Sequence, residues 1–304
     1  MPKAGQAAAA KRPALPKDPH AAIPELVRSC GPMVHAVVRR MVRSAADADD
    51  VVQDAFLQAY RHWGEFRGDS SPCTWLHAIA VRAALRQGQR ESRRRTVTQD
   101  YAREYARAMP FAQPRLALAD FPAGSPESRE LRREARQQVD RAVSQLAEPF
   151  RSAVVLKEIA GMSLAEVAAV LGVKESTVKT RVHRGRLLLR AKLLDSRPRA
   201  PVPPAVYERA VCMDLLRAKM EALDRGADFP VQDDLVCERC KEVFASLDVA
   251  ADACRSLRSG SMPAALRAKV MAALKDEGRG EEQRARGARA ARATAPARAR
   301  RTPR

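Results

Sequence analysis

Residues 163–192 read SLAEVAAVLGVKESTVKTRVHRGRLLLRAK, and this stretch decides the fold. Ser163 followed three residues later by Glu166 is a capping box. The hydroxyl accepts from one free amide of the first helical turn, and the carboxylate reaches back to another. Leu164, Val167, Ala168 and Leu171 then give a short helix one apolar face. Gly172 supplies a tight turn, and a second helix runs from Lys174 to about Lys192. Its Val178, Val182, Gly185 and Leu189 fall within about 60° of one another at ~3.6 residues per turn, which makes them a packing seam. Opposite the seam lie Ser176, Thr177, Thr180, His183 and Arg184, flanked by Lys179, Arg181 and Arg186. Seven basic residues stand against Glu175 alone between Lys174 and Lys192.

Two amphipathic helices around a glycine turn, the second one cationic, read as a helix-turn-helix. Its last helix has the width of the DNA major groove, where Arg and Lys reach phosphates and guanine edges. The plainer alternative is a solvated cationic face, and the capping box, turn glycine and paired amphipathic helices together weigh against it. Lys174 is a weak cap for the second helix, at a cost of roughly 0.5–2 kcal/mol relative to Ser or Asp. Upstream, Ser125-Pro126-Glu127 starts a helix with the stripe Leu131, Ala135, Val139, Val143 and Leu146. Another helix carries Phe150, Val154, Val155 and Ile159 and stops at Gly161.

The bulk numbers agree with a helical polyanion binder. The 304 residues are 46% hydrophobic and only 4% aromatic, with a formal charge of +19. Ala, Leu, Arg and Glu favour helix, and long alternating β-branched runs are absent. No apolar run approaches the ~20 residues of a membrane span. Residues 1–20 lack the apolar segment of a signal peptide. The expectation is a cytoplasmic chain with no membrane partner. Six cysteines in such a chain point to free thiols or metal ligands rather than a disulfide framework.

The stretch 47–95, DADDVVQDAFLQAYRHWGEFRGDSSPCTWLHAIAVRAALRQGQRESRRR, adds a different signal. Val52, Phe56, Ala59 and Trp63 form a buried stripe. Asp50, Gln53 and Asp54 lie on the other side, an acidic and amide patch in an otherwise basic chain, which suits a protein partner rather than DNA.

Three features here resemble region 2 of the sigma-70 family. They are the Asp50-Val-Val-Gln53-Asp54 run, Phe66-Arg67-Gly68-Asp69-Ser70, and Thr74-Trp75-Leu76. The helix-turn-helix with its upstream helix, EPFRSAVVLKEIAGMSLAEVAAVLGVKESTVKTRVHRGRLLLR, resembles region 4. The two blocks cover about half the chain, in the family's order and without its intervening third domain, as in the extracytoplasmic-function subfamily. The resemblance implies a transcription initiation factor, not an enzyme. It would bind core RNA polymerase and promoter DNA, with an anti-sigma factor as a further candidate partner.

Roles follow residue by residue from that resemblance. Asp50, Gln53 and Asp54 match the polymerase-docking surface. Thr74 to Arg86 matches the helix that reads and opens the −10 element, where Trp75 is either a core residue or a melting aromatic. Lys179, Thr180, Arg181 and Arg184 match the −35 readers, with Ser176, Thr177 and His183 on the same face. Arg82 and Arg86 stand where the family often has Asn. They can still contact DNA, but the promoter letters read there do not carry over. Pro72-Cys73 also departs from the family's usual aromatic and Lys.

A third block, residues 205–277, is nearly neutral, with 11 basic and 13 acidic residues. Cys237-Glu-Arg-Cys240 has the spacing that lets two thiolates hold one ion, and Cys212 lies on an upstream amphipathic helix. The block resembles a zinc-binding anti-sigma domain, with Asp233 where that pattern has His. Asp233 or Cys254 could complete a site for zinc, or for copper(I) in an all-thiolate set. The plain alternative is four reduced structural thiols. The implied role is control of the sigma modules in cis by metal or oxidation. No cofactor is needed for DNA binding itself. Cys30 and Cys73 lie outside this cluster and read as packing residues.

The expected organisation is all-α. A basic disordered arm (1–20) precedes a region 2 bundle (21–95), a flexible linker (96–124) and a winged-helix-like region 4 module (125–196). A Pro-rich spacer (197–204), the Cys-containing helical domain (205–277) and a disordered Arg/Ala tail (278–304) follow. No Gly-rich phosphate loop, nucleophile motif or paired-carboxylate arrangement suggests catalysis. An ordinary helix-turn-helix regulator is the main rival, and it has no use for the Asp50/Gln53/Asp54 patch.

Overall fold

The computed structural model describes residues 18–42, 44–92, 129–194, 203–258 and 260–293, together with Pro16, Tyr105 and Ala108. Every regular element among them is helical, so the all-α expectation holds. Most of the N-terminal arm, the linker and the Pro-rich spacer, and the start at Ser125, lie outside the described residues.

Four helices form the first bundle: α1 (Pro19–Ser29), α2 (Gly31–Met41), α3 (Ala45–Arg61) and α4 (Pro72–Ser92). Asp18 caps α1 by accepting from the His20 amide at 3.1 Å, and Ser44 caps α3 by accepting from the Asp47 amide. The stripe read from the sequence is buried: Val52, Phe56 and Ala59 are fully inaccessible and Trp63 nearly so. α3 packs on α1, α2 and α4 through it.

The second group is α5 (Arg129–Ser144), α6 (Glu148–Val154), α7 (Leu164–Leu171) and α8 (Glu175–Leu194). α6 does not run on as a regular helix to Gly161. It widens into a π turn over Val155–Ile159, closed by the Ala160 amide donating to the Val155 carbonyl at 2.9 Å. The capping box forms in full, and Gly172 ends α7 at φ +66°, where a side chain would be strained.

The third group is α9 (Arg209–Arg225), α10 (Glu238–Ser256) and α11 (Ala264–Ala293). α11 corrects the expectation of a disordered tail from residue 278. The Arg/Ala/Glu/Gln composition that looks featureless is also strongly helix-forming. The helix is anchored where α11 packs on α3 and α1, with Leu266, Val270 and Leu274 buried.

The three groups are not beads on a string. One core runs through all of them, joining Phe56 and Leu76, Leu156 and Val182, and Cys254 and Met262. α4 packs on α7, and α2 packs on α5, α6 and the π turn. Arg40 of α2 binds Asp140 of α5 at 2.8 Å. Arg258 donates from beyond α10 to the Glu158 carbonyl at 2.9 Å, closing the end of the π turn.

Cys30 and Cys73 form a disulfide, with Cα atoms 5.6 Å apart, which corrects their reading as packing thiols. The bond ties the α1–α2 junction to the first turn of α4. The two residues are 43 apart in sequence, and only the bundle makes them neighbours.

Candidate nucleic-acid interface

The seam of α8 is where the spacing placed it: Val178 and Val182 are fully buried and Leu189 nearly so. Gly185 is the point of closest approach. A Cβ there would collide with the Val154 side chain and lie 3.3 Å from the Phe150 carbonyl. Glycine lets α8 settle on α6, which holds the polar side of α8 at a fixed angle. On that side Ser176, Thr180 and Arg184 are exposed, and Thr177, Lys179, Arg181 and His183 are half-buried.

Arg186, expected to flank this face, does not belong to it. It is 3% exposed, and its Nη2 donates to Glu158 Oε1 at 2.6 Å. Its Nη1 donates to Asp224 Oδ1, also at 2.6 Å. Glu158 comes from the π turn and Asp224 from the end of α9, so the three charges join three elements. Arg190 is likewise buried and donates to Ser246 of α10. Burial lowers its pKa to about 10, against a raising effect from Glu242.

The expected DNA-reading face has partners inside the chain. Lys179 Nζ is 2.8 Å from Glu221 Oε1, and His183 Nε2 is 2.7 Å from Asp224 Oδ2. The Arg184 guanidinium sits over the Tyr105 ring, 5.0 Å from its centre. Burial alone would raise the Asp224 carboxyl. The hydrogen bond from His183 and the charge of Arg186 outweigh it and hold the group below the usual carboxylate range. Glu221 and Asp224 were missed in the sequence. Only their acidic character on an amphipathic helix hinted at a cationic partner.

On α4, Trp75 is half-buried, with its ring 5.9 Å from Trp63 and 5.4 Å from Phe66. Arg82 and Arg86 are exposed, and Arg82 Nη2 lies 3.4 Å from the Ala169 carbonyl of α7. At the other end of α4, Thr74 donates to Glu166 at 3.1 Å. Asp50 and Asp54 are exposed on α3 with Gln53 beside them, and Lys269 of α11 reaches Asp50 at 3.0 Å.

The cysteines divide into two places. Cys212 of α9, and Cys237 and Cys240 at the start of α10, share a small core with Met220, Phe244 and Leu247. Cys254 lies in the main core. It is 14 residues beyond Cys240 on one unbroken helix, about 21 Å along the axis at ~1.5 Å per residue, too far to share an ion. Asp233 does not join the thiols either: its side chain is 88% exposed and pairs with Lys241 at 3.3 Å. Among the described residues, no three His, Cys, Asp or Glu side chains are arranged to hold a metal. The donor set therefore does not fit a closed four-ligand zinc site.

The thiols differ in character. Cys240 is pushed up by burial and by the neighbouring Cys237 and Cys212. Cys254 is pushed up to about 12, by burial first and then by Glu158. Cys237 caps the N-terminus of α10. Burial works upward there too, but the Cys240 and Val206 amides outweigh it and hold the thiol below its ordinary value.

No described helix is long and apolar enough to cross a membrane. Residues 26–94 match the sigma-70 region 2 family, and residues 136–189 match sigma-70 region 4. The chain is 37% identical over 150 residues to the RNA polymerase sigma-H factor of Pseudomonas aeruginosa, covering 49% of this chain and 75% of that protein. It is 39% identical over 157 residues to the ECF RNA polymerase sigma-E factor of Escherichia coli K12, covering 50% of this chain and 76% of that one. The ECF RNA polymerase sigma factor SigM of Mycobacterium tuberculosis is 35% identical over 174 residues, or 57% of this chain and 77% of the relative. The third group lies beyond the region 4 match. With both sigma regions in order and three quarters of such relatives spanned, the chain belongs to the extracytoplasmic-function sigma factors of the sigma-70 family.

Proposed function

We propose that this sigma factor docks on core RNA polymerase through Asp50, Gln53 and Asp54. It reads promoter DNA through α4 and the polar face of α8, in the cytoplasm where both partners reside. The observation that carries the reading is the division of α8. Its apolar seam is locked to α6 at Gly185, while Lys179, Thr180, Arg181 and Arg184 stay on the opposite side. Such a helix can enter a major groove without disturbing its own packing. The test is run-off transcription with core polymerase and a pool of genomic promoters, with and without reductant, zinc and copper. Initiation at a defined subset supports the reading. Operator binding that needs no polymerase, with no initiation in any condition, overturns it.

The third group regulates the sigma modules in cis, through Cys212, Cys237 and Cys240. The metal arm of this reading is the weaker one, since no three His, Cys, Asp or Glu side chains among the described residues are arranged to hold an ion. The redox arm is favoured by Cys237, a thiol at the N-cap position of α10 held toward its thiolate, with Cys240 one turn on. A hydroperoxide would take the Cys237 thiolate to a sulfenic acid, releasing the reduced alcohol or water. The Cys240 thiol would then displace hydroxide, leaving a disulfide and water. Mass spectrometry after peroxide treatment should locate that bond. An unchanged run-off response to peroxide in Cys237→Ser removes this arm.

A further inference from the structure

We propose that the third group is a built-in competitor for both partners of the sigma modules, with α9 standing in for promoter phosphates and α11 lying along α3, where its Lys269 engages Asp50 of the polymerase-docking patch. This rests on the sigma reading above and specifies its regulation. At the −35 face, the carboxylates of Glu221 and Asp224 sit 2.8 Å from Lys179 and 2.7 Å from His183. These are charge-assisted contacts of the kind a phosphate oxygen would make. Lys157, next to Glu158 in the π turn, donates to the Asp224 carbonyl at 2.9 Å, so the end of α9 is clasped as well. While these contacts stand, Lys179 and His183 cannot reach DNA.

At the polymerase face, Lys269 of α11 binds Asp50 at 3.0 Å. Glu277 takes Arg61 through two bonds of 2.9 and 3.0 Å, and Glu281 accepts from Tyr60 at 3.1 Å. A row of contacts thus runs along α3, the helix that carries the docking patch.

The docking is apolar underneath. Leu187 of α8 lies in the core of the third group, while Leu257, Met262 and Leu266 lie in the core of the sigma modules. The ion pairs set the register of a face that burial holds in place.

The relation of α4 to α7 agrees with an off state. Their side chains are 3.1 Å apart at Thr74 and Glu166. The −10 and −35 elements are separated by roughly 25 base pairs, about 85 Å at ~34 Å per ten base pairs. With α4 held against α7, the helix on which α8 packs, the two readers cannot reach both elements at once, so this arrangement must open before a promoter is engaged.

The test uses the full chain carrying Glu221→Lys, Lys269→Glu and Glu277→Lys. None of these residues belongs to the sigma modules. Asp214→Lys, an exposed position of α9 that pairs with Arg217 on its own helix, changes the net charge by the same amount and serves as the control. Affinity for core polymerase and run-off output are measured side by side. The triple variant is expected to bind core at least tenfold more tightly and to initiate at least tenfold more than the wild type, with the control unchanged. Equal core affinity of the wild type and the triple variant overturns the proposal, as does equal gain in the control. Tighter core binding without initiation by any variant supports the competition and counts instead against the sigma reading.

Discussion

Arg186 and Glu158 meet at 2.6 Å with both side chains nearly out of water, 3% and 7% exposed. Asp224 closes the other side of the guanidinium at 2.6 Å. Replacing Arg186 with Ala would strand the buried Glu158 carboxylate and leave Asp224 with His183 alone, and removing one partner of such a set typically costs about 3–5 kcal/mol. Urea denaturation of Arg186→Ala should show a loss in that range. Arg186→Lys should recover part of it, since an ammonium cannot fork between two acids as a guanidinium does.

Gly185 makes the opposite kind of prediction. In an exposed helix, Ala in place of Gly gains about 1 kcal/mol. Here the added methyl strikes Val154, and overpacking of this sort costs about 1–3 kcal/mol. Gly185→Ala should lower the unfolding midpoint. Gly185→Ala with Val154→Ala should be closer to additive-neutral than the single changes imply, and a double-mutant cycle reads that coupling.

His77 predicts a pH dependence. It is 5% exposed, and its Nδ1 donates to the Cys73 carbonyl at 2.6 Å. Its Nε2 is buried with no partner among the described residues. Burial holds the imidazole below its ordinary pKa, with the Cys73 carbonyl acting against that shift, so the folded protein keeps it neutral. The unfolded chain takes up a proton near pH ~6.5. The stabilisation is present above that pH and is lost as pH falls toward the depressed folded value. Chemical denaturation midpoints should drop between pH 7 and 5. His77→Gln should flatten the slope. A residue of it should persist from His35, which burial also lowers against the pull of Asp49.

The Cys30–Cys73 bond closes a 43-residue loop. Chain-entropy arguments give such a cross-link about 2–4 kcal/mol. Reductant, or Cys73→Ser, should lower the stability of the α1–α4 bundle by that order, as followed by hydrogen exchange in α2 and α4. Equal protection in both redox states would contradict the assignment.

In the holoenzyme, the faces of α8 and α3 should separate by readout. Arg184→Ala should cost promoter binding about 1–3 kcal/mol at the bases it reads, whereas Lys179→Ala should weaken all promoters alike and reduce the salt slope by about one. Asp54→Asn and Gln53→Ala should weaken core binding without changing promoter preference. Electrophoretic and anisotropy titrations with reconstituted holoenzyme distinguish these patterns.

The helix-turn-helix was legible because its determinants are local. A capping box, a glycine turn and a seam repeating every three to four residues lie within one stretch of chain, so Ser163, Gly172 and Val178 could be placed without knowing any other element. The α3 stripe of Val52, Phe56 and Ala59 was legible for the same reason. The π turn was not, since nothing in the apolar spacing of residues 150–161 signals one extra residue in a turn.

What the tertiary structure decided is where charge and sulfur end up. An Arg on a cationic helix reads as solvated. Arg186 is instead buried because acids 28 positions before it and 38 after it converge on it. Four cysteines spaced like one ligand set are divided by a continuous helix that carries Cys254 about 21 Å from Cys240 at ~1.5 Å per residue. The tail from residue 278, low in complexity but rich in helix formers, becomes an ordered helix through residue 293 once α3 gives it a surface. The sequence by itself determined that this chain is a helical sigma factor with an acidic and amide patch on α3 and a cationic second helix in its helix-turn-helix. Only the packing of distant segments showed Lys179, His183 and Asp50 paired with acids and a lysine of the third group, because such contacts depend on burial and charge pairing across the whole chain rather than on any local pattern.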